Sequence, residues 1–173
     1  MPASRTSRSV IRFATASTPL GAVLVAADRR GLRAVLLGDH PAALARDLRT
    51  RFAGAEVRAD RPALAGAIRR ILRLIEAPGM RLGLPLSPGG TPFQRRVWRA
   101  LGATPLGSTA SYGVIARRIG APAAARAVAR ACGANPLAIV VPCHRVVRGN
   151  GGLGGYRWGI ARKRDLLSRE ASA

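Results

Sequence analysis

Ser111–Cys132, SYGVIARRIGAPAAARAVARAC, is the stretch that decides how this chain folds. Ser111 stands as a cap residue before the periodic run Ser111–Ile119, and Gly120 stops that run. Pro122 then marks a turn, and Ala123–Cys132 follows as a second helical run stopped by Gly133. Two short helices about a four-residue turn apart make a helix-turn-helix candidate. The second is nearly all alanine, interrupted by Arg126 and Arg130. Small side chains permit close approach, either to a partner or to another helix. The two arginines require that one face be exposed.

Charge separates those readings. Residues 91–173 carry 14 basic and 2 acidic side chains, a net +12, while residues 1–90 carry 15 and 6, a net +9. Such an excess points to a polyanionic partner, because phosphate contacts release condensed counterions. A genome biased toward alanine and arginine is the competing explanation. Almost every basic residue is arginine, and Lys163 is the only lysine.

Moving outward, Thr91–Leu101 reads as a helix with a Thr cap and an early proline, with Phe93, Val97, Trp98 and Leu101 on one stripe. Ala77–Gly90, dense in Pro and Gly, reads as a linker. Ahead of it, Ile11–Leu37 reads as strand, turn, strand (GAVLVAA, ADRRG, LRAVLLG), and Pro41–Phe52 and Pro62–Glu76 have helical spacing. These boundaries give two domains, residues 10–85 and 91–173. Met1–Arg8, polar and rich in Ser and Arg, is expected to fray. No apolar run reaches the about 18 residues needed to span a bilayer. Leu20–Ala27 imitates a signal-peptide core, but Asp28-Arg29-Arg30 and a second apolar run make it a hairpin. Two cysteines and no secretion signal lead to the expectation of a cytoplasmic protein with free thiols.

The chemistry gathers at Pro142-Cys143-His144-Arg145, after the continuous apolar run Leu137–Val141, which reads as a strand buried on both faces. A thiol with an ordinary pKa near about 8.5 is mostly protonated at neutral pH, so a base must draw the proton off. His144 stands ready as that base, and Arg145 adds positive potential. Adjacent side chains in a strand point to opposite faces, so the pair needs a kink at Pro142 or a relaying water. A buried structural cysteine is the plainer alternative. Cys132, Cys143, His40 and His144 lack paired zinc spacing, so no metal is expected.

Ile139–Val146, IVVPCHRV, resembles the active-site signature of the O6-alkylguanine-DNA alkyltransferases. TPFQRRVW at 91–98, SYGVIA at 111–116, AARAVARACGANP at 124–136 and GYRWGIARKRDLL at 155–167 resemble that family in the same order. The resemblance implies an α/β fold, with a small ribonuclease-H-like α/β domain followed by a winged-helix-like, mainly α domain containing the helix-turn-helix. It implies repair of DNA by irreversible transfer of an alkyl group from O6-alkylguanine to a cysteine, and leaves open whether O4-alkylthymine is also repaired. The base is flipped out from the minor groove, and no cofactor takes part.

Residue by residue, Cys143 corresponds to the acceptor, His144 to the base acting through water, Glu170 to the carboxylate orienting it, and Asn135 to the brace of the active-site turn. A glutamate at a helix C-terminus is otherwise mildly unfavourable. Arg126 corresponds to the finger that fills the vacated stack and Tyr112 to the tyrosine that pushes the phosphate, with Ala127 and Arg130 on the same recognition helix. Tyr156, Val146 and Pro142 correspond to the substrate pocket, where Tyr156 hydrogen-bonds the guanine oxygen. The implied partner is double-stranded DNA carrying alkylated guanine, bound by a protein that is a monomer in solution, with cooperativity along DNA left open. Gly154 departs from the pattern and is expected to slacken the pocket loop. The zinc cysteines and sensor domains of some relatives are expected to be absent. Two rivals remain open: a lesion-sensing protein without transfer, against which Cys143 argues, and a cysteine hydrolase using Cys143, His144 and Glu170.

Overall fold

Val10–Thr18 (β1), Gly21–Asp28 (β2) and Gly31–Gly38 (β3) form an antiparallel meander. The centres of β2 and β3, Val23–Ala26 and Ala34–Leu37, are buried on both faces, which is why they read as continuous apolar runs. Glu56–Ala59 (β4) joins parallel to β1, giving the order β3-β2-β1-β4. Helices Pro41–Arg51 (α1) and Arg61–Glu76 (α2) supply cover: Leu44 and Leu48 of α1 and Leu64, Ile68, Ile71 and Ile75 of α2 are buried. Asp60 caps α2 by accepting the Ala63 N–H at 3.0 Å.

The sequence reading counted two strands here where there are three, because β1 mixes Arg12, Thr15, Ser17 and Thr18 among its apolar residues. Its pairing comes from flanking strands on both sides, a tertiary effect that local patterning does not carry. The computed structural model describes residues 9–173, so the expected fraying of Met1–Arg8 lies outside the described residues.

In the second half, Pro92–Gly102 (α3) begins with a capping box: Thr91 Oγ1 accepts from Gln94 N–H, and Gln94 Oε1 accepts from Thr91 N–H. Val97, Trp98 and Leu101 are buried, and Phe93 is half-buried. The helix pair is formed by Tyr112–Arg118 (α4), capped by Ser111, and Ala125–Gly133 (α5). Gly120 in the turn between them has φ +70°, a conformation that costs glycine little. The Trp98 indole N–H donates to the Ala131 carbonyl at 2.8 Å, fastening α5 to α3. Two short strands, Ala110–Ser111 (β5) and Val146–Val147 (β6), pair in parallel, and Ile160–Ala171 (α6) closes the chain's ordered elements. The architecture is α/β, and among the described residues no helix is long and apolar enough to cross a membrane.

The expected strand at Leu137–Val141 is not one. Only Leu137 bridges, in parallel, to Val35 on the edge of the four-stranded sheet. Val35 N–H donates to Pro136 O at 2.8 Å, and Ala138 N–H donates to Val35 O at 2.9 Å. The chain then coils, with Ile139 at φ +71°, a strained setting for a β-branched residue. The run is apolar because it is buried, and burial alone does not make a strand.

Candidate active site

That coil is shaped by Asn135. Its Oδ1 accepts the Leu137 N–H at 2.9 Å, while its Nδ2 donates to Val141 O at 2.9 Å and to Leu137 O at 3.3 Å. The same Nδ2 lies 3.3 Å from Cys143 Sγ. Asn135 is fully buried, so each of these bonds is made in a low dielectric where losing it is costly. Past the coil, Cys143–Arg145 forms a single 3-10 turn. This supplies the kink that a strand would have lacked, and it sends neighbouring side chains in different directions.

Cys143 faces a cavity of about 290 Å³, lined also by Tyr112, Ala129, Cys132, Gly133, Gly155, Tyr156 and Arg157. Burial pushes the Cys143 thiol up to about 11, against the Asn135 N–H and the Lys163 charge, which pull it down. Burial pushes Cys132 up to about 12. Burial also raises Tyr156 well above the ordinary tyrosine value, and its hydroxyl has no partner among the described residues. The pocket therefore holds neutral acids: the thiols of Cys143 and Cys132 and the Tyr156 phenol, whose hydroxyl is free to donate.

These shifts set a pH dependence. Each group is a stronger acid in the unfolded chain, so its contribution to stability is complete below about pH 9 and is lost as pH rises toward 11. Thermal melts between pH 7 and pH 11 are expected to show a falling midpoint, and S-methylation of Cys143 is expected to remove part of that fall. A midpoint indifferent to pH above 9 contradicts the burial argument.

His144 is fully buried behind the thiol. Its Nε2 lies 2.6 Å from Glu170 Oε1. Arg145 reaches the same carboxylate twice, with Nε 2.7 Å from Oε2 and NH2 2.9 Å from Oε1, and donates NH1 to Thr104 O at 2.5 Å. Burial alone would raise the Glu170 pKa, yet the hydrogen bonds and charges of His144 and Arg145 outweigh it and hold the carboxyl down at about 2. An ionised carboxylate only accepts, so Nε2 carries the hydrogen and Nδ1 keeps its lone pair. Nδ1 has no partner among the described residues. The imidazole is thus oriented as a base, and no direct hydrogen bond joins it to Sγ among the described residues. The charge of Arg145 is spent on Glu170, which corrects its reading as a source of potential for the thiol.

Lys163 supplies potential instead. It is fully exposed to protein and not to water, with a relative exposure of 0%. Its Nζ donates to Val146 O at 2.5 Å, to Leu153 O and to Gly155 O at 3.3 Å. Three carbonyl dipoles compensate the ammonium, and no carboxylate reaches it among the described residues. The same bonds pin the glycine-rich segment that walls the cavity. Gly154, at φ +67°, sits between two of these anchors, so the expected slackening is countered. A Cβ there would lie 3.3 Å from Tyr112 Oη.

On the outer side, α5 buries Val128, Ala131 and Cys132 and leaves Arg126 and Arg130 exposed. Ala127 and Ala129 are half-buried between these faces. The arginine face and the cavity therefore belong to one helix.

The family model for the DNA-binding domain of 6-O-methylguanine DNA methyltransferase matches residues 92–172. The O6-methylguanine methyltransferase of Mycobacterium tuberculosis superposes with a TM-score of 0.77 at 39% identity, covering 94% of this chain and 93% of that one. The chain belongs to the O6-methylguanine-DNA methyltransferase family. A structure of the M. tuberculosis protein in complex with DNA matches equally well. The methylated-DNA–protein-cysteine methyltransferase of Mycobacterium bovis is 50% identical over 113 residues, 65% of this chain and 68% of that protein. The bifunctional transcriptional activator and DNA repair enzyme Ada of Escherichia coli is 47% identical over 161 residues, 93% of this chain. The chain spans 46% of the length of that relative.

Within this methyltransferase fold, Cys143, Tyr112 and Tyr156 come together at the cavity, and Asn135, His144 and Glu170 stand behind it. Val146 and Pro142 are buried but are not among the residues lining the cavity. Val146 instead pairs with Ala110 and gives its carbonyl to Lys163. Sequence reasoning missed Lys163, Ala129, Cys132 and Arg157 as site residues. Lys163 did leave a signal, being the only lysine in a chain otherwise given over to arginine. The others left none, since a lining position depends on where helix and loop meet.

Proposed function

We propose that this protein repairs alkylated DNA by transferring the alkyl group of O6-alkylguanine to Cys143 in a single irreversible turnover. The observation that carries this reading is a buried thiol facing a partly open pocket, with an oriented imidazole behind it and an arginine-bearing helix outside. In this reading residues 10–85 form a ribonuclease-H-like domain, and residues 91–173 form a winged-helix-like domain that contains the helix-turn-helix, the acceptor and its partners. Helix α5 enters the minor groove of double-stranded DNA, Arg126 takes the place of the flipped nucleotide, Tyr112 works against its phosphate, and Ala127 and Arg130 lie along the groove. Flipping costs a few kcal/mol of unstacking, less for a poorly paired lesion.

His144 Nδ1 takes the thiol proton through one water, Glu170 stabilises the imidazolium, and Asn135 steadies the developing thiolate. The thiolate attacks the alkyl carbon in an SN2 displacement. The carbon–oxygen bond breaks as the carbon–sulfur bond forms. Tyr156 donates a hydrogen bond to the departing guanine oxygen, which stabilises the charge it acquires. Val146 and Pro142 hold the pocket from behind. No metal or cofactor enters, the protein works as a monomer, and the reducing cytoplasm keeps Cys143 free.

Intact-protein mass after mixing with a duplex carrying one O6-methylguanine tests this. A gain of one methyl on Cys143, absent in Cys143→Ser, is expected. Binding without mass gain would make the protein a lesion sensor, and repeated turnover would make it a hydrolase.

A further inference from the structure

The cavity wall Arg148–Trp158 contains five glycines in eleven residues, a composition with much conformational freedom to lose. Lys163 pins it from within. From outside it is pinned by arginines that reach into the N-terminal half. Arg162 donates NH1 to Trp158 O at 2.9 Å and Nε to Leu20 O at 2.6 Å, and its NH2 pairs with Asp39. Arg157 lines the cavity. Its NH2 lies 3.2 Å from Asp47 Oδ1 on α1, and its NH1 donates to Gly133 O at 3.3 Å.

Gly133 ends α5 and also lines the cavity, so Arg157 ties the glycine-rich wall to the end of α5 while Asp47 holds it from a different part of the fold. Asp47 is itself fixed by Arg51 Nε at 3.1 Å. A carboxylate held by one arginine and offered to a second is a rigid acceptor, and a guanidinium is suited to bridging it to a carbonyl.

We propose that Asp47 and Arg157 form a clasp by which the N-terminal half positions the glycine-rich wall and limits the size of alkyl group the pocket admits. This rests on the alkyl-transfer reading above. Asp47 acts through Arg157 and touches no substrate, so it is a positioning residue. With the clasp closed, the mouth fits a small group. With it open, Gly155, Tyr156 and Arg157 move outward together and a bulky group finds room.

The test is single-turnover transfer by the full chain on duplexes carrying O6-methylguanine or O6-benzylguanine. Asp47→Asn is expected to leave the methyl rate within about twofold and to raise the benzyl rate about tenfold, since pocket geometry governs approach. Asp47→Glu is expected to keep the wild-type ratio. Adding Asp47→Asn to Arg157→Gln is expected to leave the benzyl-to-methyl ratio of Arg157→Gln unchanged, as residues acting through one contact are not additive. A merely structural role would lower the melting temperature and leave the ratio alone. An unchanged ratio in Asp47→Asn, or additive effects in the double variant, overturns the clasp. Failure of the wild type to take up methyl would instead sink the transfer reading, so the two failures are distinct.

Discussion

Glu170→Gln is expected to slow methyl transfer by about 10²- to 10⁴-fold, the usual worth of a positioned acid–base partner. The carboxylate accepts from His144 Nε2 and twice from Arg145. A neutral amide no longer favours the imidazolium, and it leaves the largely buried Arg145 charge without a counterion. Breaking a buried pair in this way costs about 3–5 kcal/mol, so the variant is also expected to melt earlier. Stability and catalysis are separated by pH. The folded pKa of Glu170, about 2, lies below its ordinary value of 4.5. The folded protein therefore binds fewer protons than the unfolded chain across that window. The resulting stabilisation, on the order of 3 kcal/mol, is present above about pH 4.5 and lost as pH falls toward 2. Melts from pH 7 to pH 2 are expected to show this acid-side loss in the wild type and a much smaller loss in Glu170→Gln. Equal acid sensitivity in both proteins would remove Glu170 from its assigned place.

Lys163→Met is the second large effect. Methionine matches the length of the stem and keeps the packing, but it donates nothing. Three carbonyls, of Val146, Leu153 and Gly155, lose their common donor. Of the three bonds only that to Val146 is fully buried, and an unsatisfied buried carbonyl costs about 1–3 kcal/mol when water cannot replace the partner. The wall carrying Tyr156 is then free to drift, and a displacement of about 1 Å at a reacting centre costs roughly 10² in rate. The Cys143 thiol also loses the positive charge that draws its pKa down. The expected result is a transfer rate about a hundredfold lower, together with faster amide exchange across residues 148–156. Lys163→Arg is not expected to rescue, because a planar guanidinium does not fit a site built around a point charge. Full activity with unprotected amides in that segment would show that the wall needs no pin.

Much of this was legible in the sequence. The capped starts at Thr91 and Ser111, the stop at Gly120 and the apolar stripes of α2 and α3 are local signals, set by hydrogen bonding and periodicity within one turn. The Pro-Cys-His-Arg core was legible because a thiol beside an imidazole is chemically distinctive. Leu137–Val141 misled for a physical reason. An apolar run reports burial, and here burial comes from packing against the edge of the sheet at Val35 and around Asn135. The pairing of β1 on both sides was equally hidden.

The sequence by itself determined the helix pair, its basic face, and the adjacency of a thiol and an imidazole at Cys143 and His144, because each depends on residues close together in the chain. Only the tertiary structure decided that Glu170 and Arg145 orient His144, that Lys163 holds the pocket wall, and that β3 anchors the active-site coil. Those contacts join residues 25, 17 and about 100 positions apart, and no local preference encodes which distant group will meet which. They form only when the sheet, the helix pair and α6 have packed, so the chemistry of Cys143 is a property of the assembled fold.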